Sequence, residues 1–219
     1  MNRLLCILSV ALLIGCARTP VPATPTAFEA EIARFESSDR VSPPTLGGVV
    51  FVGSSSFRLW PNVAADFPGV PVINRGFGGS TLADVVTMTP RIVLPYRPRL
   101  VVLYAGDNDL AAGRTPADVL ASYEQFVALV RRALPSTRIA FVSIKPSPSR
   151  LALIDSMRVA NRLVREIIAR DTLQRYVDVF TPMLRGDGRP RPEFFGPDSL
   201  HMTPAGYALW RERLAPVVR

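Results

Sequence analysis

The sequence predicts an α/β fold of three layers, α/β/α, with helices on both faces of a five-stranded parallel sheet. Two features carry that expectation. Five short apolar runs rich in β-branched residues recur along the chain, and stretches with helical spacing of apolar residues separate them. Runs that are apolar throughout suit strands buried on both faces. Strand–helix alternation suits parallel pairing, with the helices as crossovers. No internal repeat breaks this order, and 219 residues fit one domain.

The first residues stand outside that fold. Arg3 precedes an apolar run from Leu4 to Ile14, closed by the small Gly15, and residues 1–15 read as a secretory signal peptide. The run is shorter than the roughly 20 residues that span a bilayer. Leu13-Ile14-Gly15-Cys16 resembles the lipobox of bacterial lipoproteins. That resemblance implies cleavage before Cys16, acylation of that cysteine, and anchoring in the bacterial cell envelope, on the outer membrane or facing the periplasm. The alternative is an ordinary cleaved signal with an incidental cysteine. Residues 16–26 continue as a Pro-, Thr- and Ala-rich tether without apolar periodicity, and the folded domain is expected over 27–219.

Within the domain, Phe28, Ile32 and Phe35 at i, i+4 and i+7 mark an N-terminal helix. Gly48 to Val52 reads as the first strand. Val70 to Asn74 reads as the second, with Pro71 at its start or on a sheet edge. Ser80, Thr81 and Asp84 form the capped start of the next helix. Leu100 to Tyr104 is the third strand. Thr115 then suits an N-cap, Pro116 the first helical position and Asp118 the positive end of the dipole. Val119, Tyr123, Phe126, Val127 and Val130 form the inward face of that helix. Ile139 to Ile144 is the fourth strand, a helix follows from about Arg150 to Arg170, and Tyr176 to Phe180 is the fifth strand. The last helix begins near Thr203-Pro204 and turns Tyr207, Trp210 and Leu214 inward.

Composition narrows the function. The net charge is +8, carried by arginine with Lys145 as the sole lysine. The arginines are dispersed and not interleaved with aromatics, so they read as a solvated basic surface, weakly attractive to anionic headgroups, and no nucleic-acid partner is expected. Cys6 and Cys16 both precede the domain, which therefore holds neither a disulfide nor a cysteine–zinc site. No Walker motif or zinc spacing is present, and the dinucleotide spacing begun at Gly76 and Gly78 fails at Thr81.

Ligands of open parallel sheets bind beyond the carboxyl ends of the strands. Gly53-Ser54-Ser55-Ser56-Phe57 follows the first strand, Asn74-Arg75-Gly76-Phe77-Gly78-Gly79-Ser80 the second, and Gly106-Asp107-Asn108-Asp109 the third. Asp198-Ser199-Leu200-His201 precedes the last helix. His201 is the only histidine, so any imidazole base is His201. A serine hydroxyl needs such a base, and the base needs an orienting acid, which Asp198 can supply from three residues away. The serine run on its own could be no more than a helix cap, and Phe57 stands where the GxSxG elbow requires glycine. Asp107 and Asp109 read as acceptors for backbone donors in their loop. Phe194 and Phe195 suit either an acyl pocket or the core.

The four clusters, in this order over about residues 47–217, resemble the sequence blocks of the SGNH/GDSL hydrolases. The resemblance implies a flavodoxin-like sheet order 2-1-3-4-5 and an esterase or acylhydrolase that works without a metal or organic cofactor. It places the nucleophile on Ser55, the acid and base on Asp198 and His201, and the oxyanion hole on Ser55, Gly79 and Asn108. The usual Gly-Asp-Ser-Leu block is altered here, with Ser54 and Ser56 in place of Asp and Leu. The absence of a long insertion suggests an open site suited to short acyl or acetyl esters of glycans or small lipids. An acyltransferase using the same residues and a non-catalytic glycan- or lipid-binding lipoprotein are the alternatives.

Overall fold

The computed structural model describes residues 27–219. The expected signal peptide, Cys16 and the tether, residues 1–26, lie outside the described residues. Five strands, β1 Val49–Gly53, β2 Val72–Gly76, β3 Leu100–Tyr104, β4 Arg138–Val142 and β5 Gln174–Val177, form one sheet in the order β2-β1-β3-β4-β5. All four pairings are parallel. Seven α-helices, with four short 3₁₀ segments between elements, complete the described chain: α1 Glu29–Val41, α2 Ser55–Arg58, α3 Leu82–Ile92, α4 Asp107–Ala111, α5 Pro116–Ala133, α6 Ile154–Ile168 and α7 Pro204–Val218. None is long and apolar enough to cross a membrane.

Alternation along the strands divides the core into two halves. Val50, Val52, Val101, Leu103, Ile139 and Phe141 pack beneath α1, α3, α5 and α6. Val49, Phe51, Val102, Tyr104, Ala140 and Val142 face α2, α7 and an aromatic cluster containing Phe57, Trp60, Phe67 and Trp210. Trp210 has no exposed surface and meets Tyr104 with ring centroids 4.8 Å apart. Side chains of this size each contribute roughly 3–5 kcal/mol when buried, as judged by truncation to alanine.

Local chemistry sets the helix starts. Thr81 and Thr115 each accept from the N–H three residues on, and Asp84 and Asp118 reach back to the capping residue, closing capping boxes at α3 and α5. Thr203 caps α7 ahead of Pro204. Several expected boundaries move. β2 begins only after Pro71, which cannot donate to a ladder, and it lies on the sheet edge. β4 stops at Val142 because Ile144 exchanges both backbone hydrogen bonds with the Asn161 amide, at 2.8 and 3.0 Å, and not with a strand. β5 starts two residues early, at Gln174, a buried polar residue satisfied by Tyr123 and Asp171 that apolar patterning does not mark. The helix expected from Arg150 is a 3₁₀ segment, Pro148–Leu153, before α6; Arg150 itself is non-helical (φ −120°, ψ 27°).

Candidate active site

The first cluster is positioned by a close strand approach. Gly53 ends β1 with φ +143°, and a Cβ there would lie 1.8 Å from the Tyr104 carbonyl oxygen of β3. Only glycine fits, and the chain turns from it into the single turn of α2. Ser54 occupies the N-cap position but makes no side-chain cap bond. The Oγ atoms of Ser54 and Ser56 are buried without a hydrogen-bond partner among the described residues. Ser55 differs: it is half-buried, and its Oγ lies 2.9 Å from His201 Nε2. Geometry therefore separates three chemically equal serines.

His201 lies in a loop folded around Asp198. Asp198 Oδ1 accepts from the Leu200 and His201 N–H groups at 3.0 and 2.9 Å, and Oδ2 sits 2.5 Å from His201 Nδ1. Closing this turn places Ser199 in the left-handed region, φ +57°. Those two backbone donors and the imidazole hold the Asp198 carboxyl down at about 2. An ionised carboxylate can only accept, so Nδ1 carries the imidazole proton and Nε2 is free to accept from Ser55. Gly196 N–H donates to the His201 carbonyl at 2.8 Å, and Thr203 N–H to that of Phe194 at 2.9 Å, which seats the loop on the start of α7.

The remaining two expected residues follow β2 and β3. Gly79 is exposed with φ +75°, and a Cβ there would meet nothing within 4 Å. The left-handed backbone requires glycine there. Among the described residues the N–H groups of Ser55 and Gly79 donate to no other group. Asn108 Nδ2 donates to the Ser80 carbonyl at 2.9 Å, joining the β3 loop to the β2 loop beside Gly79. α2 is a single turn, too short to add more than a weak dipole at Ser55.

Asp109 accepts a backbone donor as expected, but from another element and not from its own loop: both carboxylate oxygens take the Leu82 N–H at 3.0 Å, pinning the start of α3. Burial raises its pKa to about 6. Asp107 accepts from the Asn108 N–H at 3.1 Å but also faces two cations, Lys145 Nζ at 2.8 Å and Arg150 Nη1 at 3.2 Å. Arg150 Nη2 donates to Asn108 Oδ1 at 2.7 Å. Arg150 was not among the expected site residues. No local pattern marks it, and only its place beside Pro148 at the mouth of β4 hints at a loop role. Phe194 and Phe195 are buried in the core half beneath α7, which decides between their two readings.

A groove of about 390 Å³ lies beside the site, lined by Leu59, Trp60, Met202, Pro204, Tyr207 and Arg211 among others. Leu59 N–H bonds back to the Ser55 carbonyl, and Met202 follows His201.

Comparison with known proteins agrees with the fold and gives the family. The family described as GDSL-like lipase/acylhydrolase matches residues 45–209. No curated protein sequence matches significantly. Among solved structures, a protein described as a platelet activating factor from Streptococcus pneumonia superposes with TM-score 0.78 at 20% identity, over 87% of this chain and 92% of its own. A GDSL-like lipase from Bacteroides thetaiotaomicron gives 0.73 at 21%, over 86% and 97%. An acetylxylan esterase from Geobacillus stearothermophilus gives 0.65 at 17%, over 80% and 95%. At these identities the likeness concerns the fold.

Proposed function

The chain belongs to the GDSL-like lipase/acylhydrolase family and is a hydrolase of carboxylic esters, and on that premise we propose that it works through a Ser55–His201–Asp198 triad and an acyl-enzyme. The observation that carries this reading is the unbroken chain of contacts from Asp198 through the imidazole to Ser55 Oγ, across 146 residues of sequence. Ser55 Oγ attacks the ester carbonyl carbon as Nε2 takes its proton. Nε2 then delivers that proton to the departing alkoxide, so the alcohol leaves and the acyl group stays on Ser55. Water loses a proton to the same nitrogen, attacks the acyl carbon, and releases the acid and Ser55 Oγ–H. Asp198 stays charged throughout and stabilises the imidazolium that forms twice. The carbonyl oxygen becomes an oxyanion in both steps. Ser55 N–H, Gly79 N–H and Asn108 Nδ2–H are its donors, each worth about 3–4 kcal/mol of barrier.

Substrates are short acyl or acetyl esters of glycans or small lipids. The half-exposed Asp198, the exposed Gly79 and the modest groove of about 390 Å³ support a small acyl group and an open alcohol side. A lipid on Cys16 would hold the domain at the cell envelope on the 16–26 tether; the Leu-Ile-Gly-Cys pattern supports that anchor. Hydrolysis of p-nitrophenyl acetate by the protein and by its Ser55→Ala variant tests the reading. Near-total loss in the variant supports it, and equal rates in the two would sink it.

A further inference from the structure

Asn108 stands in front of a buried charge cluster that the proposed reaction never touches. Asp107, 3% exposed, lies between the ammonium of Lys145 and the guanidinium of Arg150. Lys145, 1% exposed, also donates to the Tyr104 hydroxyl at 3.1 Å. Burial by itself would raise the Asp107 pKa, but the two cations outweigh it and hold the carboxyl below the ordinary range. One carboxylate and two cations leave one positive charge in excess, and Arg150 carries it to the Asn108 side.

The contacts of Asn108 define its orientation. A guanidinium has no acceptor, so the amide oxygen must face Arg150 Nη2; a carbonyl has no donor, so Nδ2 must face Ser80. One amide N–H remains after these two contacts. We propose that Arg150 is a positioning residue for ester hydrolysis, fixing the Asn108 amide so that this N–H meets the oxyanion and polarising it into a stronger donor. The inference rests on the reading of Asn108 as an oxyanion donor.

The residue type and its delivery both fit the task. A planar guanidinium can hold the amide oxygen directionally through Nη2 while its charge stays beside Asp107, whose carboxylate lies 3.2 Å from Nη1 without hydrogen-bond geometry; a lysine ammonium would hold that oxygen with less directional control. Arg150 leaves helical geometry within the segment Pro148–Leu153, and Ser149 N–H donates to the Ser199 carbonyl at 3.0 Å. The same short segment therefore braces the donor side of the site and the loop carrying the acid and base. Because the charge acts on an oxygen that becomes negative only during reaction, its effect belongs to kcat and not to KM.

The test is steady-state hydrolysis of p-nitrophenyl acetate by the parent, Ser55→Ala, Arg150→Met, Asn108→Ala and the Arg150→Met/Asn108→Ala double variant. Arg150→Met leaves Asp107 paired with Lys145, so no buried charge is stranded. Thermal unfolding checks that each variant is folded, and Arg150→Lys replaces Arg150→Met in the same comparison if the latter is not. We expect Arg150→Met to lower kcat by about 10–100-fold at nearly constant KM, against about 10²–10³ for Asn108→Ala. In the double variant, the arginine change should cost less than about twofold beyond Asn108→Ala, because its effect passes through that amide. Unchanged kcat, a loss confined to KM, or losses that multiply in the double variant would each overturn the proposal. An Arg150→Met enzyme as fast as a Ser55-dependent parent removes the proposal alone. A parent whose rate survives Ser55→Ala removes the esterase reading and the proposal together.

Discussion

Ser199 shows how a single residue's backbone serves the site. Asp198 can receive two backbone N–H groups and the imidazole only if the next residue turns left-handed, and Ser199 does so at φ +57°. For a residue with a Cβ this costs about 1–2 kcal/mol. Ser199→Gly should remove the strain and raise the unfolding midpoint by a few degrees, with hydrolysis retained. Ser199→Val, whose β-branch resists this conformation, should lower both the midpoint and kcat. A valine variant with parental stability and rate would show that the loop carries no such strain. Histidine and aspartate at this spacing were legible in the sequence because both belong to one turn. Arg150 was not, since it meets Asn108 across 42 residues.

At the scale of elements, the junction of β1 and β3 is the tightest point near the nucleophile. A methyl group on Gly53 would collide with the Tyr104 backbone, which no rotamer change can relieve. Gly53→Ala should therefore cost more than about 3 kcal/mol, beyond the usual range for point changes, and it should abolish hydrolysis by displacing Ser55. Chemical denaturation followed by tryptophan fluorescence would measure the loss; a variant within 1 kcal/mol of the parent, as a rough threshold, would contradict the argument. The strand centres were readable from apolar runs, whereas their ends were not. Val179 and Phe180 look like strand continuation, yet their N–H groups bond the Ser143 hydroxyl at 2.9 and 3.0 Å, outside the ladder. Side chains that replace ladder partners leave no periodic trace.

For the molecule as a whole, pH dependence near neutrality follows from what is buried. Asp109 rises from 3.8 to about 6, so the folded state binds its proton more tightly than the unfolded chain. That raises no cost below pH 3.8; the cost of burying the charge grows between pH 4 and 6 and is complete above 6. Asp198 is shifted the other way, to about 2, and its stabilising effect is already complete above pH 4. Asp109→Asn keeps an acceptor for the Leu82 N–H without the charge. Its stability should gain on the parent's as pH rises from 4 to 7, by about 3 kcal/mol at most. Unfolding midpoints of the two proteins across that range are the measurement, and a pH-independent difference would contradict it.

By itself the sequence determined the elements that depend on near neighbours: the helix caps at Thr81 and Thr115, the buried strand centres, the sole histidine with its aspartate, and the glycine- and asparagine-bearing strand exits. Such signals are local because caps, turns and periodicity are satisfied within a few residues. The family blocks supplied the sheet order, which alternation alone leaves open. The same blocks pointed to Ser55 among three serines, and only the tertiary structure decided that Phe194 and Phe195 belong to the core and that Arg150 and Lys145 stand behind Asn108. Those choices depend on where packed elements bring distant side chains, and in what orientation, which no local pattern records.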